Sequence, residues 1–518
     1  MEKSPLIIAE SLKEAFKAFY STHRSNTSIN KWQRNEPVAI LFFIDEFIRK
    51  IISNIFVFIP VALLVYKQIV GNPTVFVPVS FIVFTTILAL LTIKYIFFQF
   101  RLNHGNLEIR SGVFSKTHNS VPFKRIQNIK ITQPLYYRLF DYSFIQFDVA
   151  GSCGKQEAQI IAIKSSVAKR IKKHVLATNK SSIDKNMTLE KEEVLNNRTL
   201  LDLLIHGISN NKALIVIGSL VPFFDYIMGE IIISLEHAGI NIEQTFVTSE
   251  LTLWQLTLWS LAISSIVLIA LTIISICISI ITYYNFAFCK QGESYTRRSG
   301  LFTKNEVTIA KSRVQLIQLK QGVLDFLFHR FNLKLKQNKT MEMFNNKITI
   351  PSITLDQSQR LTNDIYPDSS LLDHNYQPVS NRYIWKNFTY VLLPLYLIIS
   401  FLSIAMDRTD LVVGINWTLI LCSVLVILRW ARWGYKVDEK YIYIKKGLFG
   451  VKYYCFPIFK VQQTRFKQTR SQRKYNLCSL AITLASGNVD IPYINKKTGY
   501  SMINNILYKV EEKNISWM

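Results

Sequence analysis

From Leu251 to Cys289 the chain runs 39 residues without one formal charge. About 20 apolar residues in a helix cross roughly 30 Å of hydrocarbon, so this run commits the chain to a bilayer. Three more stretches read the same way: Gln68 to Ile93, Asn387 to Met406 and Leu411 to Leu428 carry no charge over 26, 20 and 18 residues. Two weaker candidates complete the set. Ile51 to Tyr66 is 16 uncharged residues, and Ala213 to Leu235 is interrupted by Asp225 and Glu230. Grouped by proximity, the six spans form three hairpins.

Orientation follows from where the cations lie, because loops on the cytoplasmic side are enriched in Lys and Arg. The connection 230–252 holds Glu230, Glu236, Glu243 and Glu250 with no Lys or Arg. Residues 101–180 hold 14 Lys or Arg against four acids, and 431–474 hold 12 against two. The polar parts and both termini are therefore expected on the cytoplasmic side. The net charge of +26, from 61 Lys and Arg against 35 Asp and Glu, suits an anionic partner, either an acidic membrane surface or nucleic acid. A nucleic-acid role is not expected, since the basic parts are tethered at a membrane and show no recognition motif.

A second feature repeats in step with the hairpins. GVFSKTHNSVPFKRIQN at 112–128 returns as GLFTKNEVTIAKSRVQL at 300–316 and as GLFGVKYYCFPIFKVQQ at 447–463. Each copy has Gly, then Val or Leu, then Phe: Gly112 and Phe114, Gly300 and Phe302, Gly447 and Phe449. After ten intervening residues come a cation, a β-branched residue and Gln: Arg125-Ile126-Gln127, Arg313-Val314-Gln315 and Lys460-Val461-Gln462. A further Gln follows at 133, 321 and 468. Such spacing marks one small domain present three times.

Each copy is β-rich. NLEIRSG, IKIT, FIQFDVAG and QIIAIKS alternate in the first copy, before a helix with Val167, Ile171 and Val175 on one face. YIYIKKG, SLAITLASG and VDIPYI do so in the third, followed by a helix with Met502, Ile503, Ile506, Leu507 and Val510; the second has LKLKQN, KITIPSI and a helix from about Asp356. Several short strands closed by one amphipathic helix make a small barrel or sandwich. The expected fold is α+β, with six transmembrane helices in three hairpins, each followed by such a domain.

The Gly-[Val/Leu]-Phe and [Arg/Lys]-[Ile/Val]-Gln skeleton, placed after a membrane hairpin, resembles the second class of bacterial pleckstrin-homology-like (PH-like) domains, and the threefold arrangement resembles the large three-repeat membrane proteins of that family. The third copy departs from it at Lys460 and in TRSQRKYN, where the first copy has PLYYRLFD. The resemblance implies a multi-pass protein of the bacterial cytoplasmic membrane, often with a smaller single-repeat PH-like membrane protein as partner. It also implies an association with resistance to membrane-active peptide bacteriocins.

The expected division is an N-terminal amphipathic segment 1–50, hairpin 51–98, PH-like domain 99–180, linker and amphipathic lead-in 181–212, hairpin 213–284, domain 285–360, linker 361–387, hairpin 388–430 and domain 431–518. The N-terminus, MEKSPLIIAESLKEAFKAFY, lacks the order of a signal peptide. Lead-in stretches precede each hairpin at 36–52, 200–211 and 382–388 and suit the membrane interface.

Within the motif, the glycines are expected to set hairpin turns, and Phe114, Phe302 and Phe449 to fill the core with Ile126, Val314 and Val461. Arg125, Arg313 and Lys460, with Gln127, Gln315 and Gln462, either bind a ligand at the barrel mouth or join the fold's own hydrogen bonds. Two basic clusters, Lys169-Arg170-Lys172-Lys173 and Arg465-Lys467-Arg470-Arg473-Lys474, are candidates for anionic headgroups, with topology alone as the alternative. Asp225 is the one acid well inside an expected span, which keeps a six-helix transporter as the rival to a binding or scaffold protein. The cysteines at 153, 277, 289, 422, 455 and 478 form no CxxC pair, the histidines show no metal spacing, and no catalytic constellation is visible. No enzyme activity, metal or cofactor is expected.

Overall fold

The computed structural model describes residues 32–53, 73–103, 105–112, 116–149, 158–180, 192–210, 229, 233, 253–337, 348–372, 375–406 and 410–513. They form two compact units, Met1–Met187 and Thr188–Met518.

The first unit contains β1 (Gln33–Arg34), α1 (Ala39–Ser53), α2 (Pro73–Ile96), β2 (Gln99–Asn103), β3 (Asn106–Ser111), β4 (Thr117–Pro122), β5 (Ile126–Gln133), α3 (Leu135–Arg138), β6 (Tyr142–Val149), β7 (Ala158–Lys164) and α4 (Ser165–Lys180). β1 to β4 form one antiparallel run and β5 to β7 another. Alternate residues of both runs, among them Phe100, Leu107, Ile109, Ile129, Ile145, Phe147 and Ile160, enclose one core. α4 closes it with Ala168, Ile171 and Val175, whereas Val167 stays exposed. The small Ala168, not Val167, lies on the inward face.

The second unit holds two such domains. One comprises β8 (Glu193–Asn197), α5 (Leu200–Ser209), α6 (Leu253–Tyr283), β9 (Ala287–Gln291), β10 (Ser294–Ser299), β11 (Lys304–Ala310), β12 (Leu316–Gln321), α7 (Val323–Leu327), β13 (Phe331–Lys336), β14 (Ile348–Ile353) and α8 (Leu355–Ile365). The other opens with β15 (Gln377–Pro378), α9 (Arg382–Asn387), a π-helical turn over Phe388–Leu392, α10 (Leu393–Ala405) and α11 (Asp410–Ala431). It continues with β16 (Gly434–Val437), β17 (Tyr441–Gly447), β18 (Val451–Pro457), β19 (Val461–Lys467), α12 (Arg470–Lys474), β20 (Leu477–Leu484), β21 (Gly487–Asn495) and α13 (Lys496–Lys513). Each domain is thus four antiparallel strands, then three, then a closing helix.

The order of elements differs from the expected one in an instructive way. The first strand of every domain precedes the membrane segment and pairs with the strand after it: Gln33 with Phe100, Val194 with Cys289 and Gln377 with Tyr435. The membrane segment is therefore a loop of the domain, inserted between its first and second strands. Pattern reading misses these strands because β1 and β15 have two residues each and β8, EVLNN, is polar.

Segment 361–381, a linker by its polar composition, is packed: Leu361, Ile365, Tyr366 and Leu371 lie in the core of the second domain. Among the described residues, three helices are long and apolar enough to cross a membrane: Ser265–Tyr283, Arg382–Ala405 and Gly414–Ala431. The last two are linked by the Tyr396 hydroxyl, which donates to Asn416 Oδ1 at 2.8 Å. A shorter apolar helix covers Phe81–Ile96. The expected spans at 51–66 and 213–235 fall almost wholly outside the described residues.

Candidate functional site: a membrane-contact surface and a seam between domains

The motif glycines are required by local geometry. Gly112 and Gly300 have φ of +106° and +121°, a region that side chains strain to enter. A Cβ on Gly300 would meet the Thr303 carbonyl oxygen at 2.0 Å, and one on Gly447 would meet that of Gly450 at 1.8 Å. Both close tight turns between strands.

The aromatic that follows does not fill the core. Phe302 is 50% exposed and Phe449 59%, because each sits at the turn's tip, beyond the last strand pair. Phe114 lies outside the described residues. The tips reach the ends of membrane helices. Gly300 N–H donates to the Tyr284 carbonyl at 2.9 Å and Leu301 N–H to that of Ile281 at 3.0 Å, satisfying acceptors that the end of α6 leaves open. In the third domain the Arg432 guanidinium, just past α11, donates to the Phe449 carbonyl.

The cation-β-branched-Gln element is a 3₁₀ turn in all three copies: Phe123–Arg125, Lys311–Arg313 and Ile458–Lys460. Ile126, Val314 and Val461 are buried behind it. The flanking residues differ. Arg125 and Gln462 are exposed, Gln315 is buried and Arg313 is half-buried; the side chain of Gln127 is outside the described residues. Burial lowers the Arg313 pKa.

Lys460 is buried, and its Nζ donates to the carbonyls of Ser312, at 2.8 Å, and Val314. The Tyr366 hydroxyl also donates to Val314 O, at 2.9 Å. Burial, and secondarily the Arg313 charge, pushes the Lys460 pKa down to about 8. This lysine thus joins the fold's own hydrogen bonds, and it does so across two repeats. The same seam carries backbone pairing: β12 runs antiparallel to β18, with Ile317 opposite Cys455 and Leu319 opposite Tyr453. One seven-stranded sheet results, in the order β14-β13-β12-β18-β17-β16-β15. Leu316 enters the third domain's core, while Tyr441, Tyr443 and Cys455 enter the second's.

The lead-in helices hold each domain to its membrane segment. In the second domain, Ser275 Oγ donates to the carbonyls of Gly207 and Asn210 at 2.7 and 2.9 Å, and Ser279 Oγ to Leu203 at 3.0 Å. α5 therefore runs antiparallel along the last turns of α6. Gly207 permits the approach: a Cβ there would lie 2.6 Å from Ile276 Cα. The outer end of α5 is locked to the domain. Thr199 and Asp202 form its capping box. Buried Arg198 donates to Asn196 Oδ1 (2.7 Å), Ser352 O (2.8 Å) and Gln357 Oε1 (2.8 Å), while Arg330 pairs with Asp202 at 3.1 Å. Desolvation, only partly offset by Asp202, brings the Arg198 pKa down to about 10.

α7 adjoins the inner end of α5, where Gly322 approaches the Ser209 carbonyl. That end lies level with Ser275, about 12 Å below Tyr283 at 1.5 Å per residue. There α7 exposes Val323, Phe326 and Leu327, with Phe326 70% and Leu327 67% exposed, and Phe328 follows it, exposed too. The third domain's tip is adjacent, since a Cβ on Gly450 would sit 3.0 Å from Gly322 Cα. The turn after the conserved-spacing Gln also touches the lead-in helix in the other domains. Tyr136 donates to Asp45 Oδ2 of α1 at 3.2 Å, beside exposed Leu135 and Leu139. Arg382 of α9 lies 3.7 Å over the Tyr475 ring, next to α12.

The predicted basic residues divide between two settings. Arg465 and Lys467 are exposed on β19, and Arg470, Arg473 and Lys474 are exposed on α12 beside the lead-in helix. Lys169, Arg170 and Lys173 are exposed and Lys172 half-buried on the outer face of α4, the ordinary place for cations on an amphipathic helix. Asp225 lies outside the described residues. Among the described residues, no cluster of three or more His, Cys, Asp or Glu is placed to hold a metal. Sequence reading missed the apolar wedge of α7; the available signal was GVLDFLFH standing where the third copy has TRSQRKYN.

Comparison with known proteins agrees with the threefold repeat. The chain is 22% identical over 247 residues to the UPF0699 transmembrane protein YdbT of Bacillus subtilis (strain 168), a match covering 47% of this chain and 50% of the relative. The match thus spans about half the relative's length, and no solved structure matches. The family model for the bacterial PH domain matches three times, at residues 50–179, 231–368 and 388–510. Three copies of one domain, each looped around a membrane segment, make this chain a membrane protein of the bacterial PH domain family.

Proposed function

We propose that the protein is a bilayer-fixed scaffold whose PH-like domains rest on the cytoplasmic leaflet and bind anionic headgroups and a membrane-protein partner. The observation that carries this reading is the placement of exposed apolar and basic side chains at the ends of the membrane helices. Phe302 lies at the end of α6, Phe326 and Leu327 about two turns in from it and Phe449 beside the end of α11, and Arg470, Arg473 and Lys474 occupy the turn of the third domain equivalent to α7. Apolar side chains there enter the acyl boundary. Each cation near an acidic surface adds about 1 kcal/mol.

The proposal includes six crossings in three hairpins. Strands that flank a membrane segment and pair directly must lie on one side of the bilayer, so each segment crosses an even number of times. Such fixation raises the effective concentration of any partner in the same membrane. A smaller PH-like membrane protein as partner, and protection against membrane-active peptides as the outcome, are proposed on the resemblance.

Full-length protein extracted with mild detergent, compared with an Arg470→Gln, Arg473→Gln, Lys474→Gln variant, tests the lipid contact. The parent should retain several-fold more anionic phospholipid by mass spectrometry. Equal retention would remove the headgroup reading. In nanodiscs, the emission added by Phe326→Trp should be quenched by brominated acyl chains; unquenched emission would place α7 outside the bilayer.

A further inference from the structure

The β12–β18 seam is a joint of defined register, and among the described residues the strands corresponding to its two halves recur once more, each as the edge of its own run. β19 stands in the third domain where β12 stands in the second, 147 positions on by the motif Val461 and Val314. It forms the edge of the three-stranded run β19-β20-β21, with no strand on its outer side among the described residues. β4 stands in the first domain where β18 stands in the third, 335 positions earlier by Gly112 and Gly447. Pro122 and Pro457 end the two strands alike. β4 is likewise the edge of its run, β1-β2-β3-β4.

Burial follows occupancy. In the occupied joint Leu316, Ile317, Gln318 and Leu319 are all buried, as are Tyr454, Cys455 and Phe456. In the open positions Arg465 and Lys467 of β19, and Thr117, His118, Asn119 and Ser120 of β4, are exposed. An uncovered edge is a template for another strand.

We propose that β19 of one copy pairs antiparallel with β4 of a second copy, continuing between molecules the joint that β12 and β18 make within one. Three observations select a second copy: the chain supplies both halves, the internal joint gives the register, and nothing in β4 repels β19. Carrying over Ile317 opposite Cys455 and Lys320 opposite Lys452 sets Thr464 opposite Ser120, Arg465 opposite Asn119 and Lys467 opposite Thr117. No Lys, Arg, Asp or Glu lies within β4. The polar character of both edges makes this a reversible, head-to-tail contact, which closes as a ring or grows as a row. It does not depend on lipid binding.

Two full-length variants carrying different tags, Thr464→Cys and Ser120→Cys, are co-expressed and their membranes mildly oxidised. Opposed residues on paired strands lie within disulfide reach, so a linked product bearing both tags should exceed the unsubstituted background at least tenfold. Replacing Ser120→Cys by Asn119→Cys, which alters the register and the face, should reduce it to background. Lys320→Cys with Lys452→Cys in one chain reports that the internal joint has formed. Absence of the two-tag product while that control closes would overturn the proposal. Linkage of either variant to a different host protein, or closure only within a chain carrying both Thr464→Cys and Ser120→Cys, would overturn it equally.

Discussion

Lys460 Nζ donates to the Ser312 carbonyl at 2.8 Å, so the cation of the third repeat's motif is bonded to the backbone of the second's. Its folded pKa, about 8, lies below the ordinary lysine value of 10.5. Below pH 8 both states carry the charge, and the fold bears the burial penalty. Between pH 8 and 10.5 the unfolded chain binds more protons, so stability rises with pH there. Relative to Lys460→Met, the wild type should gain up to ~3 kcal/mol across that window. Denaturation of both proteins in one detergent at pH 7.5 and 10.5 checks this, and a pH-independent difference would contradict it.

The motif turns should resist even a methyl group. Gly300→Ala and Gly447→Ala place a Cβ 2.0 and 1.8 Å from a carbonyl oxygen, with an expected loss of about 1–3 kcal/mol each. Gly414→Ala meets nothing within 4 Å and should be neutral or slightly stabilising. Thermal midpoints of the three variants give the comparison.

Asp202 lies 3.7 Å from Arg198 and 3.1 Å from Arg330. Asp202→Asn leaves two guanidinium groups facing a neutral amide in a mostly buried site, which should destabilise the second domain by about 3 kcal/mol. The exposed Lys440–Asp368 pair, at 3.0 Å, is the contrast: Asp368→Asn should change stability by less than about 1 kcal/mol. Chemical denaturation followed by hydrogen exchange in β14 separates the two.

Gly207→Leu should lift α5 from α6, because no larger side chain fits against Ile276. Limited proteolysis after residue 198 should then become several-fold faster. Unchanged proteolysis would show that Ser275 and Ser279 suffice to hold the helix.

Repetition is what made the domains legible. Gly, a β-branched residue and Gln at fixed intervals identified three copies, and Ile126, Val314 and Val461 are buried as their type suggests. Phe302 and Phe449 depart from their expected place in the core for a physical reason: hydrophobicity alone does not distinguish a core from a bilayer boundary, and both sit at the ends of membrane helices. Lys460 was ambiguous because its carbonyl acceptors belong to a segment 146 to 148 residues away. Strands β1, β8 and β15 were hidden because they are short or polar, and their partners lie beyond the membrane segment.

Placing that segment between two paired strands makes insertion and folding a single event. Val194 can meet Cys289 only after the 94 intervening residues, with the apolar helix they carry, have been made and placed. During synthesis the first strand of each domain must wait, unpaired, for its membrane loop to be completed. An integration error would therefore announce itself as an unfinished sheet, leaving a misinserted chain open to quality-control proteases.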